Sequence, residues 1–140
     1  MTGATQNIGI MWRGEPENPN DRFRSLSKTA AARLLNLPGA MSLEPSDTGA
    51  ADFQATADII AGLDLVITAD TSVAHLAGAM GKETWVLLAR YADDWQWPRS
   101  GMSPWYPSAR LFTQPQSGDW ESLVADVCDE ALARSGRLQP

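Results

Sequence analysis

Residues 65–81 have the sequence LVITADTSVAHLAGAMG, and this stretch decides the fold class of the chain. The apolar and β-branched run 65–68 predicts a buried β-strand. The polar turn Asp-Thr-Ser follows it at 70–72, and apolar spacing predicts a helix over 72–80 that Gly81 closes. Backbone N–H groups at a helix start lack partners and carry partial positive charge, so anions bind there. The stretch therefore predicts a nucleotide or sugar-phosphate site where this strand ends.

Short apolar strands alternate with amphipathic helices on both sides of this stretch. Strands are predicted over 8–12, 40–43, 65–68, 84–88 and 110–113, and helices over 28–36, 53–61, 72–80 and from 120. The alternation predicts an α/β fold with a Rossmann-like, doubly wound parallel sheet that helices cover on both faces. We expect a single domain over 1–140, with a frayed tail at 135–140.

Length and composition exclude several classes of protein. The 140 residues suffice for one domain with a core, and the net charge of −6 argues against a nucleic-acid-binding protein. The apolar runs are too short to span a membrane, and the polar N-terminal residues do not resemble a signal peptide. The single cysteine, Cys128, fits a reducing compartment, so a cytoplasmic protein is expected. No Cys and His spacing suggests a metal site, and no metal or other cofactor is expected.

Polar clusters follow the predicted strands at their carboxyl ends. These clusters are residues 13–24, Glu44, 70–75 and 91–105. The carboxyl ends of parallel strands lie at one edge of a sheet, where α/β folds bind ligands. The sequence therefore predicts that all four clusters line one edge.

The turn before the third helix and the single histidine are candidate phosphate contacts. One of Asp70, Thr71 and Ser72 is expected to be the N-cap of the third helix. The backbone N–H groups that come next are suited to binding a diphosphate. His75 lies about 150° from the centre of the apolar stripe, counting about 100° per residue. An imidazole there can donate to a phosphate oxygen, whereas the alternative is a solvent-exposed histidine.

Charged residues after the first two strands are further candidates. The guanidinium groups of Arg22 and Arg24 match phosphate oxygens, although a solvated loop also explains the pair. Glu44 can accept hydrogen bonds from ribose hydroxyls, as an acidic residue does in dinucleotide-binding folds, or it is a surface acid.

An aromatic loop over 91–107 follows the fourth strand. Its candidate binding residues are Trp95, Trp97, Trp105 and Tyr106. They can pin the loop to the domain, stack on a base or sugar, or contact a partner protein. The chain shows no spacing that pairs its histidine with a nucleophile or singles out two carboxylates, so no catalytic residue is predicted.

Four motifs together resemble the heptosyltransferase-like glycosyltransferases, in particular the bacterial group that carries this domain behind tetratricopeptide repeats. Residues 62–82, GLDLVITADTSVAHLAGAMGK, are similar to the family signature DLVIxxDTxxAHLAGAxGKP. Residues 94–97 and 103–108 are similar to its DWRW and SPWYPS loop. Residues 20–26 resemble its NDRxRS loop, and 10–14 its first strand and WAG turn.

The resemblance implies one half of a GT-B fold, the C-terminal half that binds the nucleotide-sugar donor. It implies that Asp70, Thr71, Ser72 and His75 contact the donor diphosphate, with Arg22 or Arg24 near the phosphates. It implies further that Glu44 binds the nucleoside. The nucleotide sugar is then a substrate.

Departures from the family pattern shape the expected activity. Glu83 replaces the usual proline, and the N-terminal half, which supplies the acceptor site and catalytic aspartate in the heptosyltransferases, has no match in this chain. A cleft needs two walls to bury its ligand, so the isolated domain is expected to be inactive without an N-terminal half, a partner protein or a second copy of itself. The alternative is a non-catalytic domain that acts in protein–protein interaction.

Overall fold

The computed structural model describes residues 7–12, 26–44, 48–49, 52–69, 72–88, 101–102, 108–114 and 119–138. The strands in these ranges are β1 (Ile8–Met11), β2 (Ala40–Ser42), β3 (Leu65–Ala69), β4 (Thr84–Leu88), β5 (Gly101–Met102) and β6 (Ala109–Thr113). The helices are α1 (Lys28–Leu35), α2 (Phe53–Ala61), α3 (Ser72–Ala79) and α4 (Trp120–Leu138). None of these helices combines the length and apolar character needed to cross a bilayer.

The strands form one sheet in the order β2-β1-β3-β4-β6-β5. The first five are mutually parallel, and β5 pairs antiparallel with β6 at the edge. From β1 the chain first adds β2 on one side and then returns to add β3 on the other. The predicted α/β fold, a Rossmann-like doubly wound sheet in a single domain, is confirmed.

Helices cover the two faces of the sheet in pairs. On one face Leu34 of α1 and Val127 of α4 pack in a cluster with Ile10 of β1. On the other face a second cluster joins Ile60 of α2 and Ala77 of α3 to the sheet. The strands β3 and β4 are buried along their whole length, which explains why all their residues except Thr68 and Thr84 are apolar.

Helix ends use the capping residues that the sequence indicates. Ser27 accepts a hydrogen bond from the Ala30 N–H at 3.1 Å, and Asp52 accepts one from the Ala55 N–H at 2.9 Å. Gly81 has a φ of 73°, which lets the chain turn back after α3. The Lys82 N–H then donates to the Ala77 carbonyl at 3.1 Å. These local signals explain why most predicted boundaries agree with the structure to within one residue.

Three details of the structure were not expected from the sequence. Gly101–Met102 forms a strand where only loop was expected, because a two-residue strand has no periodicity and depends on pairing with β6. The helix α4 continues to Leu138, so residues 135–138 are helical rather than a tail; extending an existing helix adds a hydrogen bond per residue. Apolar spacing in the sequence puts Met80 on the same helix face as Val73, Leu76 and Ala77, but Met80 is exposed because α3 ends at Ala79, and Ala74 is buried instead.

The last helix packs through its predicted apolar face. Its buried residues include Trp120, Leu123, Val124, Val127, Cys128 and Ala131. Leu132 belongs to the same predicted face and yet is exposed. Burial raises the pKa of the Cys128 thiol, which therefore stays protonated and behaves as a small apolar side chain.

Gly9 allows two leucines to approach the centre of β1. A Cβ added at Gly9 would lie 2.5 Å from Leu63 Cδ1 and 2.8 Å from Leu43 Cδ1. Both leucine side chains are buried and close the core between β1, β2 and the end of α2. The absence of a side chain at this position is therefore a packing requirement of the face that α2 and α3 cover.

We expect Gly9→Ala to lower the free energy of unfolding by about 1–3 kcal/mol, because the buried leucines must shift to admit the methyl group. Urea denaturation measures the change. The control is Gly62→Ala, where the nearest atom to an added Cβ is the Ile59 carbonyl oxygen at 3.7 Å. Equal stability of the two variants would contradict this account of Gly9.

Candidate functional site

The carboxyl ends of the five parallel strands lie at one edge of the sheet. Strand order reverses at β1, and α1 and α3, the helices that follow β1 and β3, lie on opposite faces of the sheet, the arrangement in which α/β folds bind ligands in a crevice. Residues Met11 and Thr68 are paired across this point. Open α/β sheets bind ligands at such a reversal, and the candidate site is therefore the crevice above β1 and β3.

The start of α3 lies directly above the end of β3. Only residues 70 and 71 separate Ala69, the last residue of β3, from Ser72, the first residue of α3. Val73 and Ala74 are buried against the sheet, so packing holds the first turn in place. Its N–H groups and positive dipole end consequently face the edge where the parallel strands finish.

His75 occupies the first turn of α3 and is half-buried. The helical wheel placed it away from the sheet-facing stripe but close to the ligand edge, and the structure agrees with that placement. Val73 and His75 both already have interaction partners, so an anion binding here would add to existing contacts or exchange with them.

The segment that joins β1 to α1 is anchored at the same edge. The Leu26 N–H donates to the Trp12 carbonyl at 2.8 Å, which brings the two ends of the connection together. Ser27 caps α1, and its hydroxyl also donates to Glu121 of α4 at 2.7 Å. The intervening residues 13–25, which include Arg22 and Arg24, lie outside the described residues.

Glu44 follows β2 and is half-buried at the same edge. Its N–H donates to the Ser42 hydroxyl at 3.1 Å, and its carbonyl accepts from the Thr48 N–H at 3.0 Å. These bonds fix the backbone where the chain leaves the sheet. The predicted position of Glu44 at the carboxyl end of β2 is therefore confirmed, while its nucleoside contact stays a prediction.

Several predicted site residues lie outside the described part of the chain. These residues are Asp70, Thr71, Arg22, Arg24, Trp95, Trp97, Trp105 and Tyr106, and the side chain of Ser72 is not described either. The structure thus brings Glu44, His75 and the start of α3 to one edge. Within the described ranges, no three His, Cys, Asp or Glu residues cluster as a metal site would require.

Trp12 also lies at the edge where the parallel strands end, although the sequence interpretation did not select it as a candidate. It follows β1 at the reversal point, is half-buried, and packs against the core cluster beneath α1 and α4. In the sequence it is the last residue of the predicted strand 8–12, and no local pattern distinguishes it from the apolar residues before it. Its position after the last paired residue, Met11, was the signal that it lies at the ligand edge.

Two charged residues of the long motif hold the opposite edge together. The Asp64 carboxylate accepts from the Asn7 N–H at 2.7 Å, which ties the starts of β1 and β3. The Lys82 ammonium donates to the carbonyls of Ala61 and Leu63 at the end of α2. Both residues lie at the amino ends of the strands and therefore away from the candidate site.

Comparisons with known proteins add one partial similarity. No protein-family model matches the chain. Protein FlbA of Caulobacter vibrioides (strain ATCC 19089 / CIP 103742 / CB 15) is 36% identical to it over 77 residues. The similar segment covers 55% of this chain and 13% of FlbA, so it spans a small part of that protein.

We expect Lys82→Met to lower the free energy of unfolding by about 0.5–1.5 kcal/mol, because two carbonyls at the end of α2 lose a donor. Thermal unfolding followed by circular dichroism measures this loss. Lys28→Met is the control, since Lys28 is exposed at the start of α1, where a positive charge opposes the helix dipole. A destabilisation as large in the control would contradict a specific role for Lys82.

Proposed function

We propose that this chain is the nucleotide-sugar-binding domain of a GT-B glycosyltransferase of the heptosyltransferase-like type. The observation that carries the proposal is the start of α3, which follows the buried strand β3 after two residues at the point where the strand order reverses. This arrangement presents helix N–H groups and His75 to an anion above the sheet. The resemblance of residues 62–82 to the family signature supports the same site.

The donor diphosphate is proposed to bind at the first turn of α3. His75 would donate a hydrogen bond to a phosphate oxygen, since its side chain is half-buried beside that turn. Asp70, Thr71 and Ser72 would shape the turn and contact the diphosphate, as the resemblance implies. Arg22 and Arg24 belong to the connection anchored at Trp12 and Leu26, and a guanidinium from this connection would pair with the phosphates.

Glu44 is proposed to bind the ribose of the donor. Glu44 comes two residues after the end of β2, and β1 lies between β2 and β3 in the sheet. Glu44 is then two strand spacings, about 10 Å, from the end of β3. A carboxylate at that position accepts from vicinal ribose hydroxyls while the diphosphate lies on α3.

Sugar transfer is proposed to require a second wall for the cleft. The described edge carries groups suited to holding a donor, and an acceptor half would supply the catalytic base. That wall is an N-terminal half, a partner protein or a second copy of the chain. We place the activity in the cytoplasm, in keeping with a single, buried cysteine.

A nitrogen–proton correlation NMR titration with UDP, ADP, GDP and their sugar conjugates tests donor binding. We expect amide shifts concentrated in 72–75 and at Glu44, with one nucleotide preferred. Shifts scattered over the surface, or none at millimolar ligand, would contradict the proposal and favour a domain that acts through protein contacts.

His75→Ala is expected to weaken nucleotide binding by about 1–3 kcal/mol, the scale of a lost hydrogen bond to a charged group. Asp70→Ala is expected to weaken it to a similar degree. Isothermal titration calorimetry measures the affinities, and Lys82→Met is the control because it lies at the opposite edge. Unchanged nucleotide affinity in both site variants would contradict the assignment of Asp70 and His75 to the diphosphate site.

A further inference from the structure

Trp12 stands at the centre of the ligand edge, between the two groups assigned above. Trp12 follows the last residue of β1, and β1 lies between β2, which ends two residues before Glu44, and β3, which ends at Ala69. Neighbouring strands are about 4.8 Å apart, so its backbone is one strand away from each. The side chain of Ala69 is only a methyl group, whereas that of Trp12 is a large aromatic ring.

Trp12 packs against the core and is still partly exposed to solvent. Its inner side packs against the core cluster that contains Ile10, Leu26 and Ala69. Its backbone carbonyl accepts the Leu26 N–H at 2.8 Å, which fixes the residue at the end of β1. Even so Trp12 is only half-buried, in contrast to Trp85 and Trp120, which are 2% and 6% exposed.

We propose that the indole of Trp12 is the surface on which the base of the bound nucleotide stacks. This inference rests on the proposed function, because it takes the diphosphate to lie at α3 and the ribose at Glu44. A planar, rigid, partly accessible ring beside the ribose position suits a nucleobase, whose π-face any aromatic side chain can stack against. The role would be one of positioning, since the indole contacts no reacting atom.

The test compares ligands with and without a base. Trp12→Leu keeps an apolar side chain for the core cluster but removes the aromatic surface, and Trp12→Phe keeps a smaller ring. We expect Trp12→Leu to weaken binding of the preferred nucleoside diphosphate about 5- to 100-fold and Trp12→Phe less. Affinity for inorganic pyrophosphate is expected to change less than twofold, whereas His75→Ala weakens both ligands.

The indole N–H signal provides an independent readout in the unmodified protein. The chain has six tryptophans, and the Trp12 signal is the one missing from the spectrum of Trp12→Phe. We expect this signal to shift when the nucleoside diphosphate is added and to stay in place with pyrophosphate.

The outcomes separate the inference from the proposed function. Nucleotide binding that is equally strong in Trp12→Leu overturns the stacking role and leaves the function in place. An equal loss for nucleotide and pyrophosphate also overturns it, since it shows an indirect effect on α3. If the unmodified protein binds neither ligand, the proposed function fails and the inference fails with it.

Discussion

The burial of β3 between β1 and β4 is the constraint on which the rest of the structure depends. Every residue of β3 is buried, and its backbone pairs with parallel strands on both sides. A strand in this position is largely apolar on both faces, and its one polar side chain, Thr68, is buried and donates to the Ala69 carbonyl. Polar residues suited to binding a ligand can therefore follow directly after its carboxyl end.

The direct connection from β3 to α3 puts the start of a helix at this end of the strand, where the anion site is proposed. Val73, Ala74 and Ala77 anchor α3 to the sheet, so its first turn cannot move away from the edge. The same packing leaves His75 half-buried beside the turn. An anion site made in this way needs few specific side chains, because the backbone and the helix dipole supply much of the attraction.

Residues 62–82, the long motif, include residues at the amino ends of the parallel strands and residues at their carboxyl ends. Asp64 and Lys82 flank its apolar centre and hold the amino edge through the Asn7 N–H and the end of α2. The first turn of α3, which belongs to the same motif, lies at the carboxyl ends of the strands. Strand polarity separates the two roles: a residue just before a parallel strand and one just after it lie on opposite sides of the domain.

The sequence by itself determined the elements and their order, because hydrophobic period, caps and glycines are local signals. Ser27, Asp52 and Gly81 each end or begin a helix through contacts with residues a few positions away. The position of Glu44 after β2 and of His75 in the first turn of α3 followed from the same signals. Their contacts with a nucleotide are part of the proposed function.

Only the tertiary structure decided the strand order, the short strand β5 and the position of Trp12 between two neighbouring strands. The pairing of Gly101–Met102 with β6 joins residues whose relation no local pattern encodes. The position of Trp12 between the ends of β2 and β3 depends on the pairing of β1 with both strands. Such relations arise from long-range backbone pairing, which sets where a side chain lies although it leaves no periodic trace in the sequence.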